Sequence, residues 1–125
     1  MKIKENNKAP SFKLPSTSNV DFDLKNIKGK LLIYFYPKDD TPGCTIETKD
    51  FSKLYKKFKK IKCELVGVSK DSLESHEKFK KKYKVPFELL SDINIKMQKK
   101  YGIWGTKSFM GKKFLGTIRS TVFID

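Results

Sequence analysis

The sequence predicts an α/β fold, a central mixed β-sheet flanked by helices, and three consecutive segments carry that prediction. Lys30–Tyr36 (KLLIYFY) is apolar nearly throughout, the pattern of a strand covered on both faces. From Cys44 to Ile61 the apolar residues Phe51, Leu54, Tyr55, Phe58 and Ile61 recur at helical spacing, with Lys49, Lys53, Lys56, Lys57, Lys59 and Lys60 between them. The lysines therefore form one solvated face of a helix. Cys63–Ser69 (CELVGVS) reads as a second buried strand. Strand, helix, strand in this order joins a parallel pair through a crossover helix.

The remaining elements follow along the chain. Met1–Pro10 is a lead-in, and Phe12–Leu14 with Val20–Leu24 could form a short hairpin across Pro15–Asn19. Lys28-Gly29 is a turn signal before the first central strand. Asp71–Val85 reads as a second amphipathic helix, with Asp71 and Glu74 as a capping box and Leu73, Phe79 and Tyr83 as its inner face. Pro86 ends it. Phe87–Leu90 is a short strand and Ile95–Tyr101 a short helical segment. A glycine-punctuated stretch, YGIWGTKSFMGKKF, leads to a last strand over Ile118–Ile124. A parallel pair followed by antiparallel strands suits a thioredoxin-like α/β sandwich. There is no internal repeat or low-complexity linker, so one domain is expected over residues 1–125. Ser120–Asp125 is an unusual place for a domain to stop, since no turn, helix or polar tail follows it.

Composition narrows the function classes. A hydrophobic fraction of 38% over 125 residues supports one modest core. The longest apolar run, Leu31–Tyr36, is far below the roughly 18 residues of a spanning helix. The N-terminus lacks the apolar region of a secretory signal. A soluble, intracellular protein is expected, cytoplasmic, or nuclear in a eukaryote. With only Cys44 and Cys63 the chain is no disulfide scaffold, which suits a reducing compartment. The net charge of +14 points toward polyanions such as nucleic acid. All but one of the 28 basic residues are lysine, however, whereas readers of nucleic acid rely on arginine's bidentate fork. General lysine enrichment is the simpler account. The single arginine, Arg119, then becomes informative, because an apolar strand places fixed, planar charge there.

The chemistry-bearing stretch is YFYPKDDTPGCTIE, Tyr34–Glu47. In open α/β sheets function collects beyond the carboxyl ends of the strands. Pro42-Gly43 would form the turn there and Cys44 would occupy the first helical turn, where unpaired N–H groups and the helix dipole favour a thiolate. Asp39 and Asp40 oppose that electrostatically, so a cation is expected nearby, with Arg119 the candidate. Cysteine is more often a small buried hydrophobe, but the strand-to-helix turn argues for reactivity here. Thr41-Pro42-Gly43-Cys44 looks like a Cys-x-x-Cys redox turn whose first cysteine is replaced by threonine. No disulfide can close within that turn. A lone thiolate among convergent donors suits attack on an electrophile such as a peroxide O–O bond, giving a sulfenic acid.

Pro37, Thr41 and Cys44 match the Pro-x-x-x-Thr-x-x-Cys pattern of peroxiredoxins. FYPKDDTPGCTIE, YGIWGTKSFMGKK and IRSTVFID closely resemble the bacterioferritin-comigratory, or peroxiredoxin Q, class over almost the whole chain. The resemblance implies a thioredoxin-like fold and a thiol-dependent peroxidase that reduces hydrogen peroxide and organic hydroperoxides without a cofactor. Cys44 would be the peroxidatic cysteine, Thr41 would hydrogen-bond the peroxide, and Pro37 would shape and shield the pocket. Arg119 would stabilise the thiolate and polarise the substrate, and the N–H groups of Gly43 and Cys44 would add donors. Relatives of this class are often monomeric, so a monomer or weak dimer is expected. The family normally continues with a further strand and a helix, so a C-terminally truncated domain is expected.

Many relatives carry a resolving cysteine five positions after the first, where this chain has Lys49, and others carry one on the next helix, where this chain has none. Only Cys63 remains. The helix after Cys44 runs roughly 22 Å back down the sheet, and Cys63 opens the next strand at that far end, whereas a disulfide needs Cα atoms within about 7 Å. Cys63 therefore reads as a structural thiol, with an intermolecular disulfide as the other possibility. A one-cysteine mechanism is expected, recycled by glutathione, glutaredoxin or thioredoxin. His76 sits at the border of the second helix's apolar side without metal-ligating neighbours in sequence, and no metal site is expected. Trp104, within Gly102–Gly105, reads as a packing residue near the pocket rim. Relatives often carry an acid at the position of Thr106. Glu47, one turn beyond Cys44, either orients Arg119 or is simply solvated. The competing functions are a polyanion-associated protein and a peroxide sensor that passes oxidation to a partner.

Overall fold

The computed structural model describes residues 8–125, so the lead-in expected over Met1–Pro10 falls largely outside the described residues. Elements follow in the order β1 (Lys13–Leu14), β2 (Phe22–Asp23), β3 (Lys30–Phe35), α1 (Pro42–Lys60), β4 (Cys63–Ser69), α2 (Leu73–Tyr83), β5 (Glu88–Ser91), α3 (Lys96–Tyr101), β6 (Trp104–Phe109), β7 (Lys112–Thr117) and β8 (Ser120–Ile124). A short 3₁₀ turn, Leu24–Asn26, follows β2. The central sheet has the order β5-β4-β3-β8. Strands β3, β4 and β5 are parallel, and β8 is antiparallel to β3.

Alternation along β3 divides the core. Leu31, Ile33 and Phe35 face one side with Val66, Val68 and Leu90, where Phe12 and Leu14 of the β1 region and Met97, Tyr101 and Ile103 around α3 cover them. Tyr34 and Tyr36 face the other side with Leu65 and Leu89, under Phe51, Tyr55 and Phe58 of α1 and Phe79 of α2. The period of two along the strands and the helical period on α1 thus meet in one aromatic layer. Tyr34 stacks on Phe51 at 4.7 Å between centroids and packs edge-on to Phe87 at 5.8 Å. Its partner in register on β4 is Gly67. A Cβ there would lie 2.7 Å from Tyr34 Cζ and 2.9 Å from Leu89 Cδ2, so the ring occupies the space a side chain would need.

Several boundaries differ from the sequence expectation. The cap of α2 is Ser72, whose hydroxyl accepts from the Ser75 N–H at 3.2 Å, so the Asp71–Glu74 capping box does not form. Asp71 instead turns back toward the end of β3. The inner face of α2 is Phe79 with His76, which is fully buried, while Leu73 and Tyr83 are only half-buried. The glycine-punctuated stretch is a two-stranded hairpin, β6 with β7. Its tip, Met110-Gly111, has φ of 52° and 80°, the two positive values that a tight right-twisted hairpin turn requires. The last strand starts at Ser120, so Arg119 lies in the short link before β8 rather than within it.

The register β3–β8 pairs Phe35 with Ser120. Arg119 therefore emerges level with the carboxyl end of β3, where the chain turns into α1. Among the described residues no helix is long and apolar enough to cross a membrane.

Candidate active site

The segment Tyr36–Thr41 leaves β3 and delivers the chain to α1, which opens on Pro42. Proline suits that first position because its missing N–H has no helical acceptor to lose. The N–H groups of Gly43 and Cys44 follow in the same turn, before the intrahelical ladder begins. The first ladder bond runs from the Thr45 N–H to the Thr41 carbonyl at 2.8 Å. Cys44 is buried, at 1% exposure, and a charged group approaches its thiol.

That group is Arg119. Its Nη2 donates to Cys44 Sγ at 3.1 Å, and its Nη1 donates to Glu47 Oε1 at 2.7 Å. The planar fork thus serves two acceptors one helical turn apart, a task a lysine ammonium cannot perform in the same way. Burial opposes the arginine's charge, but Cys44 and Glu47 outweigh it and push its pKa up. Burial pushes the Glu47 carboxyl up, against the opposing pull of Arg119. Of the two readings of Glu47 from sequence, the orienting one matches the geometry. Gly43 lies against the same guanidinium, since a Cβ there would be 3.4 Å from Nη2.

Thr41 precedes the helix and makes no side-chain cap bond. Its hydroxyl donates to the Lys38 carbonyl at 2.9 Å, which leaves the oxygen lone pairs as acceptors. Pro37 is half-buried at the start of the same segment. The structure therefore gathers Pro37, Thr41, Gly43, Cys44 and Arg119 at one end of the sheet. A groove of about 420 Å³ opens beside them, lined by Gly43, Ile46, Glu47, Phe51, Leu54 and Arg119 among others.

The expected repulsion from Asp39 and Asp40 is corrected by their partners. Asp39 is buried and turned away into a polar cluster beneath α2, accepting from the Tyr36 hydroxyl at 2.5 Å and from Ser75 Oγ at 2.8 Å. Asp40 accepts from Lys82 Nζ at 2.8 Å and Tyr83 OH at 2.7 Å, which hold its carboxyl below the usual range. Sequence concealed that Asp39, Asp71 and His76 come together, with ligand-type atoms within 4.8 Å of one another. Both His76 nitrogens and both Asp39 oxygens already have hydrogen-bond partners in that cluster. The cluster is thus internally satisfied.

Cys63 stands at the opposite end. It opens β4, pairs in register with Lys30 at the start of β3, and is 2% exposed. Burial pushes its thiol pKa up. The six residues of β3 separate the two cysteines by about 20 Å along the sheet. Trp104 begins β6 and is half-buried, with Lys70 Nζ 5.7 Å from its ring. Thr106 is exposed on the same strand.

A strand-to-helix turn that aims a buried thiol at a guanidinium, on a thioredoxin-like sheet, defines a cysteine-based redox protein. The sequence matches the AhpC/TSA family over residues 6–125, and the chain belongs to that family. Within it the similarity is to the Bcp, or peroxiredoxin Q, branch. A putative peroxiredoxin bcp of Coxiella burnetii is 43% identical over all of this chain and 83% of its own length. Peroxiredoxin Bcp of Bacillus subtilis is 41% identical over all of this chain and 80% of its own. Among solved structures, the Xanthomonas campestris bacterioferritin comigratory protein, described for alkyl peroxide reduction, superposes with a TM-score of 0.84. It is 37% identical and covers 90% of this chain and 73% of that one.

Proposed function

We propose that this chain is a thiol peroxidase in which Cys44 is the nucleophile and the only cysteine that turns over. The observation that carries the reading is the contact of 3.1 Å between Arg119 Nη2 and Cys44 Sγ at the start of α1. A fixed positive charge there favours the thiolate and lies where negative charge moves as a peroxide bond breaks. Thr41 accepts the peroxide's O–H proton in a hydrogen bond, and the N–H groups of Gly43 and Cys44, in the first turn ahead of the helical ladder, are the further donors. The thiolate attacks the nearer peroxide oxygen. An S–O bond forms, the O–O bond breaks, and its electron pair leaves on the distal oxygen, which takes up a proton as water or an alcohol. Cys44 is left as a sulfenic acid.

Return to the thiol requires two external thiols. The first condenses with the sulfenic acid, releasing water and forming a mixed disulfide, and the second displaces Cys44 as a thiol. The burial of Cys63 and its place at the far end of β3 support this one-cysteine cycle. The reductant is a small or protein thiol: glutathione, glutaredoxin or thioredoxin. The catalytic unit is one thioredoxin-like domain.

Intact mass after one equivalent of hydrogen peroxide, with a sulfenic acid trap present, tests the reading. One adduct is expected, located at Cys44 and absent from Cys44→Ser. No adduct at Cys44, or an adduct at Cys63 alone, refutes it.

A further inference from the structure

His76 takes no part in the chemistry above, yet it is fully buried and both ring nitrogens are bonded. Nε2 lies 2.8 Å from the Leu90 carbonyl oxygen of β5. A carbonyl only accepts, so Nε2 carries a proton. Nδ1 lies 2.7 Å from Asp39 Oδ2, within hydrogen-bond distance. Asp39 accepts in addition from Tyr36 OH and Ser75 Oγ. Its backbone N–H donates to Asp71 Oδ2 at 2.8 Å, an oxygen that also accepts from Ser69 Oγ at 2.7 Å.

These bonds fasten the middle of the Pro37–Thr41 segment to Tyr36 just beyond β3, to the end of β4, to α2 and to β5. Asp40 follows at φ 55°, in the left-handed region that aspartate enters more readily than most non-glycine residues, so the chain turns sharply between the bonded Asp39 and the helix start. One residue later comes Thr41, and four later Cys44.

We propose that His76 is a positioning residue for the Cys44 site. It touches no reacting atom. By gripping Asp39 it fixes the segment that sets where Thr41 and the first turn of α1 stand relative to Arg119. The inference rests on Cys44 being the peroxide-reacting thiol, and it adds a residue from a helix outside that site. A misplacement on the order of 1 Å can cost about 10²-fold in rate, so loss of the grip should be large for a reaction that needs several aligned donors. It should be small for alkylation by iodoacetamide, which needs only a reachable thiolate.

The test compares single-turnover oxidation of Cys44 by hydrogen peroxide with its alkylation, in the wild type, His76→Leu, Asp39→Ala and Asp39→Asn. A cooperative melt checks each fold. His76→Leu and Asp39→Ala should lose about 10²-fold in peroxide rate while alkylation stays near wild type. Asp39→Asn, whose amide N–H can donate to a neutral His76 Nδ1, should recover most of the peroxide rate. If His76→Leu does not fold, the two Asp39 variants decide. Peroxide rates unchanged in His76→Leu or Asp39→Ala, a parallel fall in both reactions, or no recovery in Asp39→Asn overturns the positioning role. A wild-type Cys44 that does not react with peroxide at all overturns instead the peroxidase reading on which it rests.

Discussion

Removing the charge of Arg119 while keeping a polar side chain, as in Arg119→Gln, is the sharpest test of the site. The guanidinium stands 3.1 Å from Cys44 Sγ. At that distance two unit charges attract by about 5 kcal/mol at an effective dielectric of about 20, and by about 1 kcal/mol in bulk water. The arginine side chain is 40% exposed, which moves the value toward the lower end. A net loss of about 2 kcal/mol, in the range of a hydrogen bond to a charged group, corresponds to about 30-fold in rate. Rapid quenching and intact mass would follow Cys44 oxidation by hydrogen peroxide in a single turnover, free of any dependence on the reductant. Arg119→Lys should recover only part of the loss, because an ammonium cannot serve Cys44 and Glu47 with a planar fork. Oxidation of Arg119→Gln within about twofold of wild type, well below what the contact implies, would refute the electrostatic role.

Glu47→Gln separates stability from activity. The Glu47 carboxyl is raised by burial, so its contribution to stability is greatest at low pH and is lost as pH rises through the raised folded value. At neutral pH the ionised carboxylate is therefore a net cost, and the variant should melt no lower than wild type while peroxide oxidation slows several-fold through the loosened arginine; a lower melting temperature would contradict this. Cys63→Ser should turn over peroxide at near the wild-type rate with an external thiol, and loss of turnover with Cys44 still oxidised would contradict the one-cysteine cycle. Gly67→Ala forces Tyr34 or Leu89 aside and should destabilise by about 1–3 kcal/mol, read as a lower midpoint in urea unfolding with an unchanged slope.

The parts of the site that were legible in the sequence are those whose signal is local. Thr41-Pro42-Gly43-Cys44 announces a helix start by its own chemistry, and β3 and β4 stand out because both faces are covered. Arg119 was legible for a different reason: in a chain that otherwise uses lysine, one guanidinium is conspicuous. His76 and Asp39 meet across 37 residues, and nothing on the helix pattern of α2 distinguishes a histidine bound to a loop from one at the edge of an apolar stripe. That pairing engages Asp39, and Lys82 with Tyr83 engages Asp40, so neither acid expected to repel the thiolate is left free to do so. The hairpin of β6 and β7 leaves no pattern in the sequence because much of it faces solvent, with Phe114 and Leu115 exposed. Without a buried face there is no alternation to read. The capping box at Asp71 failed because Asp71 had a stronger use, accepting from Asp39 and Ser69.

The same hairpin has an optical consequence. Trp104, the only tryptophan in the chain, pairs with Thr117, and the adjacent Ile118 N–H donates to the Ile103 carbonyl at 2.7 Å. The link that ends in Arg119 is therefore bonded directly to the backbone that carries the indole. Oxidation of Cys44 would cost the guanidinium one of its two partners, and the field along this link would change with it. Tryptophan emission is thus expected to follow the redox state of Cys44, so that an unlabelled sample would show the reaction of a thiol as a change of light.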